Sequence, residues 1–397
     1  MKKHLLTVAL AAALATSGLA NAADSIKVGV ILGYTGPIES LTPDMAASAE
    51  LAFKEASDSG MLLGGSTIEA IRADSTCIDA SAATAAAERL ITADKVVAIM
   101  GADCSGVTTA IANSVAVPNG VVMVSPSATT PALSTIEDKG FFFRTAPSDA
   151  RQGQVLADAV FEAGTTNIAV TYTNNDYGKG LSDSFVGAFK ALGGKVSIVA
   201  AHEDGKADYS AEVAALAASG ADKLAVLGYL DQGGKGIIQA SIDTGAFETF
   251  ALGDGMIGQS LVDAFGGDMV DTIGTSPGGE SDAMTNFIKM AKANKIGGEG
   301  PYDGTSYDAG ALIVLAMQAG GSADRAAIQA NMMTVANAPG TKIYPGELKK
   351  ALEILAGGGQ VDYVGATNIE FNTVGEVNGV YRQLEIKDDK FSLVKVR

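Results

Sequence analysis

The sequence predicts an α/β protein of two lobes, each a parallel sheet covered by helices, and three observations carry that expectation. Short apolar runs alternate with Ala-rich stretches whose apolar residues recur at helical spacing. The apolar runs are near-continuous rather than alternating, as strands buried on both faces require. The rhythm restarts near Phe141, in a chain of 397 residues that is too long for a single core.

Taken in order, Ile26–Leu32 reads as the first strand, and Pro43–Asp58 as a helix with Met45, Ala49, Ala52, Phe53 and Ala56 on one side. Thr67–Ala73 follows as a strand, Ser81–Ile91 as a helix and Val96–Met100 as a buried strand. Ser105–Val115 is a helix and Val121–Val124 the next strand. The second round opens with the strand Phe141–Thr145, which leads into Pro147. Helices are expected over Gln152–Glu162, Gly180–Leu192, Tyr209–Ser219 and Gly233–Thr244. Strands are expected at Asn167–Thr171, Val196–Ala200, Lys223–Leu227, Phe250–Leu252 and Thr272–Thr275. Two further helices, Asp282–Asn294 and Tyr307–Gln318, precede strands at Ala366–Asn372, Gly379–Lys387 and Phe391–Val396. The pair Asn378-Gly379 favours a turn between the first two of these.

The N-terminus reads as an export address. Lys2 and Lys3 are followed by a short apolar stretch, and Ala20-Asn21-Ala22 is a small-x-small cleavage pattern, so residues 1–22 form a signal peptide. No Cys near the cut accepts lipid, so the mature chain is expected to be soluble in the periplasm. The whole chain carries a net charge of −17, which disfavours nucleic acid and anionic lipid as partners. Cys77 and Cys104 would meet an oxidising compartment, where a single disulfide is the default. That bond would close a loop of about 27 residues and contribute on the order of 3 kcal/mol. Two lone Cys and a single mature His, His202, leave no metal site and little room for nucleophilic catalysis; no cofactor is expected. A lone His is ordinarily a surface or capped residue.

Ligands of open parallel sheets bind beyond the carboxyl ends of the strands, near helix N-termini. The turns there are Gly33–Pro37, Gly101–Gly106 and Ser125–Pro131 in the first half. In the last two, Ser105 and Thr129 stand beside free helix-start amides, a combination that suits a carboxylate; ordinary N-capping is the alternative. The second half offers Asn175–Gly178, Gly228–Asp231 and Gly253-Asp254-Gly255. Asp254 would suit an ammonium group, and a plain turn Asp would also fit between two glycines.

These residues resemble the periplasmic leucine/isoleucine/valine-binding proteins of ABC importers over nearly the whole mature chain. The likeness lies in Ile26–Val30 with Thr35-Gly36-Pro37, in Asp103-Cys104-Ser105, in Ser125–Pro131, in Phe143-Arg144-Thr145, and in the turns Asp176–Gly180 and Leu227-Gly228-Tyr229. The resemblance implies the type I periplasmic binding protein fold: two Rossmann-like lobes joined by a three-strand hinge. Lobe 1 would hold residues 23–147 and 277–376, and lobe 2 residues 148–276 and 377–397. The crossings would fall near Arg144–Pro147, Thr275–Gly278 and Glu376–Gly379. The resemblance further implies a Cys77–Cys104 disulfide, a ligand α-carboxylate held by Ser105, the Ser127–Ala128 backbone and Thr129, and Tyr177 and Tyr229 closing over the ligand. Asp254 stands where the family has a Glu that pairs with the α-ammonium. Leu41 replaces a pocket aromatic, and Asp303 lies near where aliphatic binders place an apolar residue. Those departures point to a more polar side-chain pocket.

The implied function is solute capture by a monomer for an importer permease, the solute being a branched-chain or related small amino acid. A sensing subunit of the same fold, for an amide, urea or small carboxylate, is the nearest rival. A nucleotide-dependent enzyme is disfavoured, because Gly29 and Gly33 do not make a Gly-x-Gly-x-x-Gly fingerprint and no phosphate loop occurs.

Overall fold

The computed structural model describes residues 24–269 and 271–397, so the expected signal peptide at residues 1–22 lies outside it. Five strands, β1 (Ser25–Leu32), β2 (Thr67–Asp74), β3 (Ala98–Gly101), β4 (Val122–Ser125) and β5 (Phe142–Arg144), make an all-parallel sheet in the order β2-β1-β3-β4-β5. Between them run α1 (Thr42–Asp58), α2 (Ala80–Thr92) and α3 (Ser105–Ile111). The next round comprises β6 (Asn167–Thr173), β7 (Lys195–His202), β8 (Lys223–Leu227), β9 (Phe250–Leu252) and β10 (Ile273–Pro277). Its helices are α4 (Asp149–Glu162), α5 (Asp176–Ala191), α6 (Ser210–Ala217), α7 (Gly233–Thr244) and α8 (Gln259–Phe265).

The chain then returns to the first sheet with α9 (Asp282–Ala293), α10 (Asp303–Gly320), α11 (Arg325–Ala336) and α12 (Leu348–Ala356), plus a two-stranded parallel sheet of β11 (Thr341–Ile343) and β12 (Val361–Tyr363). A final hairpin, β13 (Tyr381–Lys387) and β14 (Lys390–Val396), joins the second sheet antiparallel, in the order β14-β13-β10-β9-β8-β6-β7. Apart from that hairpin the second sheet is parallel.

The core of the first half is built on α10. Its sequence is apolar almost all round, which marks a helix with no solvent face, and residues 303–318 are all buried. Gly310 lets it lie directly on α1: a Cβ there would stand 2.8 Å from the Ala49 carbonyl oxygen. Each large aliphatic side chain buried on this helix is worth about 1.5–3 kcal/mol.

Two expectations near the C-terminus need correction. Ala366–Asn372 is not a strand. The buried Asp308 carboxylate accepts from the amides of Ala366 and Thr367 and the hydroxyls of Thr367 and Tyr363 at 2.6–2.9 Å, so these donors are spent on a side chain. The Asn337 side chain pairs with both backbone groups of Phe371 at 2.7 and 2.9 Å, standing in for a neighbouring strand. The Asn378-Gly379 pair is no turn either; the chain turns earlier, at Thr373–Gly375, where Asn372 N donates to Glu376 O (2.9 Å) and Gly375 N to Asn372 O (3.1 Å). Gly379 instead allows close approach between crossings, since a Cβ there would stand 2.2 Å from the Pro147 Cβ.

The chain passes between the two sheets three times. Arg144 N donates to Gly375 O (3.0 Å), Gly278 N to Val380 O (3.0 Å), and the Tyr381 hydroxyl to Ser148 O (3.2 Å), so the three crossings are tied to one another. His202 is neither exposed nor a cap. It is buried against Thr171 Oγ1 at 2.8 Å, and burial pushes its pKa down to about 4, so the ring is neutral. Among the described residues no helix is long and apolar enough to cross a membrane, and no group of three or more metal-binding side chains occurs.

Candidate functional site: a closed cleft between the two sheets

Strand order reverses beside β1 in the first sheet, and beside β6 in the second. The turns at those carboxyl ends therefore splay apart and leave a crevice. On the first side, Asp103 organises the crevice. Its buried carboxylate accepts from Gly33 N (2.6 Å), Ser75 Oγ (3.1 Å) and Cys104 N (2.9 Å), which draws three turns together. Cys77 and Cys104 are joined by a disulfide across two of those turns, with Cα atoms 5.1 Å apart.

Ser105 opens α3, and its hydroxyl oxygen accepts from the amides of Thr129 (3.2 Å) and Thr130 (3.1 Å). Its proton is left to donate. The α3 first-turn amides have no partner within the helix. Ser127 Oγ donates to Asp103 O (3.1 Å), while Ser127 N has only a long 3.5 Å contact with Ser125 Oγ. Ala128 is buried and its carbonyl accepts from Arg144 (3.1 Å). The Thr129 hydroxyl is buried without a hydrogen bond, near enough to Asp149 to favour its charge.

On the second side, Asn175 caps α5 by accepting from Gly178 N at 3.1 Å, which aims Tyr177 into the crevice. Tyr177 and Tyr229 stack with ring centroids 5.0 Å apart and planes 14° from parallel. The Tyr177 hydroxyl donates to Asp254 Oδ1 (2.8 Å) and accepts from Gly255 N (3.0 Å). Asp254 is fully buried. Gln152 of α4 binds it from behind. With its amide turned so that the NH2 faces the carboxylates, it donates to both Asp254 oxygens (3.1 and 3.2 Å) and to Asp149 Oδ1 (2.9 Å), and accepts from Asp254 N (2.9 Å). The opposite orientation would set carbonyl against carboxylate.

Asp149 and Asp254 are thus two buried carboxyls sharing one neutral donor. Burial raises both pKa values, and the charge of Asp254 raises that of Asp149 further. Tyr302, buried just ahead of α10, lies near enough to Asp254 to favour its charge. One oxygen of Asp149 has no hydrogen-bond partner. Arg144, from β5, attracts Asp149 through space but is spent elsewhere: its Nε donates to Glu376 at 2.9 Å and its other nitrogens to Ala128 O, Thr130 O and Ser134 Oγ.

Between the two sides lies a small cavity, about 10 Å³, lined by Asp103, Ser105, Ser127, Tyr177, Tyr229 and Tyr302 among others. The lobes are shut upon it. Asp231 N donates to Pro37 O (2.8 Å) and its carboxylate accepts from Ser40 N (2.8 Å), linking the two sides of the mouth. Of the residues singled out in the sequence, Ser105, Ser127, Tyr177 and Tyr229 line this cavity, whereas Ala128, Thr129 and Asp254 stand directly behind its walls. Asp303 does not reach it. It is buried on the far side of Tyr302, accepts from Gly300 N at 2.9 Å, and with Leu41 lines a separate, larger groove. Asp149, Gln152 and Tyr302 went unnoticed in the sequence because nothing local distinguishes a capped helix start, or a Tyr one position before Asp303, from ordinary surface.

A cleft between two α/β lobes, shut over a few polar groups and crossed by three segments, is the architecture of a binding protein that closes on a small solute. The chain belongs to the periplasmic binding protein family, whose model matches residues 25–346. A Leu/Ile/Val-binding protein homologue of Brucella melitensis is 30% identical over 342 residues, 83% of this chain and 88% of that relative. A chemotactic signal transduction substrate-binding protein of Halobacterium salinarum is 25% identical over 354 residues, 87% of this chain and 83% of its own. The solved branched-chain amino acid transporter substrate-binding protein LivJ of Streptococcus pneumoniae, in complex with isoleucine, superposes with a TM-score of 0.78 at 22% identity, covering 94% of this chain and 99% of that one. The chain is accordingly a substrate-binding protein of the leucine/isoleucine/valine-binding type, not an enzyme.

Proposed function

We propose that this protein captures an α-amino acid in the periplasm and presents it, closed, to the permease of an ABC importer. The observation that carries the reading is the opposition of poles across the cavity. Spare donors face it from the first side: the Ser105 hydroxyl, the Ser127 amide and the α3 first-turn amides. Two buried carboxyls without a bound cation, Asp149 and Asp254, stand on the other. A zwitterion satisfies both: its carboxylate takes the donors, and its ammonium takes the charge that burial otherwise disfavours. Tyr177 and Tyr229 then form the lid. Closure brings lobe 2, at residues 148–276 and 377–397, onto lobe 1, at residues 23–147 and 277–376, by bending at the three crossings. The closed state is favoured by whatever contacts the solute makes to both lobes. Binding by a monomer, without a cofactor, suffices for this role.

The cavity as it stands is smaller than an amino acid, so Tyr177, Tyr302 and Ile38 must part to admit one. The test is calorimetry of residues 23–397 with a panel of α-amino acids and their deaminated analogues. Amino acids are expected to bind, and Asp254→Asn to cost at least about 2 kcal/mol, some thirtyfold, with the fold retained. Equal binding of the deaminated analogues would overturn the assignment of Asp254. The Halobacterium relative supports one alternative, presentation of the solute to a chemotaxis receptor. Deleting the gene distinguishes the two, through loss of solute uptake or loss of taxis toward it.

A further inference from the structure

We infer that the groove beyond Tyr302 is a distal subsite for the far end of the same solute, and that it selects a neutral hydrogen-bond acceptor, a carboxamide or ureido group. This rests on the amino-acid reading above and adds the side-chain class. The groove is large, about 930 Å³, and both lobes wall it: the start of α1 and α9 on one side, Ile257–Gln259 and the β13–β14 hairpin on the other. Tyr302 lines the groove and the inner cavity alike, the one lining residue the two share. Leu41 lines the groove as well.

The chemistry of the groove lies in Arg382 of β13. One of its terminal nitrogens donates to Ser276 Oγ at 3.1 Å, but its Nε is buried and finds no partner among the described residues. Asp303 and Glu299 act on it only through space, and burial lowers its pKa. A buried charged donor with an unmade hydrogen bond is costly, and a ligand acceptor reaching it removes that cost. The surrounding field decides which acceptor. Asp44, Glu280, Glu299 and Asp303 face the groove against Arg382 and Lys390, an excess of negative charge. A second carboxylate on the solute would meet that excess, and a cationic end could not accept from Nε. A neutral carbonyl meets neither penalty, and its amide nitrogen can donate to the acidic wall.

The experiment is calorimetry of residues 23–397 with glutamine, citrulline, glutamate and norleucine, repeated for Arg382→Met and, should that variant fold poorly, for Arg382→Lys, which keeps the charge and loses the fork. Glutamine or citrulline is expected to bind about tenfold or more tighter than norleucine and glutamate, and either variant to bring the glutamine-to-norleucine ratio toward one. Norleucine or glutamate binding tightest, or a ratio unmoved in the variants, overturns the subsite while leaving the amino-acid reading intact. Failure of all four while another α-amino acid of the panel binds overturns the subsite alone; failure of every α-amino acid to bind overturns both.

Discussion

Asp149 and Asp254 meet over one Gln152 amide, and this pair contributes to how the protein responds to pH, beside the buried Asp303 and Asp308, whose pKa values burial raises to about 6. Both carboxyls of the pair titrate above the ordinary value of 3.8, chiefly because they are buried. Tyr177, Tyr302, Tyr229 and Tyr381 face them, with Arg144 as the nearest cation. An acid whose folded pKa is raised contributes stability below its unfolded pKa and loses it as pH rises through the folded one. The unliganded protein should therefore melt at progressively lower temperature as pH climbs from about 4 toward neutrality, and Asp149→Asn should flatten that slope. Amino-acid stabilisation should grow over the same window, as the ligand ammonium replaces a proton. Thermal melts from pH 4 to 8, with and without ligand, check both; a melting point independent of pH would refute the paired-acid account. Arg144 carries a different load. It joins β5 to Glu376 in a largely buried ion pair and holds the carbonyls of Ala128 and Thr130. Arg144→Met should destabilise by about 3–5 kcal/mol, because Glu376 is left without its partner; urea denaturation measures this.

Among the elements, α10 and the turns around β1 show how local sequence serves the cleft. The helix supplies the buried axis of the first lobe and ends, at its N-terminus, on Tyr302 and Asp303 at the cleft wall. Its seat on α1 depends on Gly310. Gly310→Val should drive its Cβ into the Ala49 carbonyl and cost about 1–3 kcal/mol, read as a lower denaturant midpoint with an unchanged m-value. A wild-type midpoint would mean that α1 yields freely. The β1 and β3 turns, by contrast, are held by side chains rather than by ladders: Asp103 and the disulfide pin them. Most elements were legible because their period is local. The strands Lys223–Leu227 and Phe250–Leu252 and the helix Gly233–Thr244 fall where the pattern puts them. The α8, α11, α12, β11 and β12 elements were not drawn from the pattern. The expected strand at Ala366–Asn372 was lost to Asp308 and Asn337, side chains 30 to 60 residues away in sequence.

At the scale of the molecule, the lobes stand closed through contacts of their own. Asp231 of the β8–α7 turn reaches the Pro37–Ser40 turn of the other lobe by two hydrogen bonds. Such a latch lowers the work the ligand must do to close the cleft, so it should appear in release more than in capture. Asp231→Ala removes the Ser40 contact and should weaken binding by about 1 kcal/mol, roughly fivefold, mostly as faster dissociation in stopped-flow. A change confined to the association rate would show that Asp231 guides entry instead.

The sequence by itself determined the alternation of strand and helix, the two-lobed plan, and the turns at which chemistry would gather. All of these follow from hydrophobic period and turn composition, which are read within a dozen residues. It also marked Ser105, Thr129 and Asp254, because their turns follow strands, whereas Ser127, Tyr177 and Tyr229 were marked only by the family resemblance. Only the tertiary structure brought Asp149 and Gln152 of α4 against Asp254, set Tyr302 rather than Asp303 at the inner cavity, and left Arg382 with an unmade bond in the groove behind it. Those pairings join residues up to hundreds of positions apart through the packing of two lobes. Burial and charge at such contacts are properties of the closed fold, and no local pattern carries them.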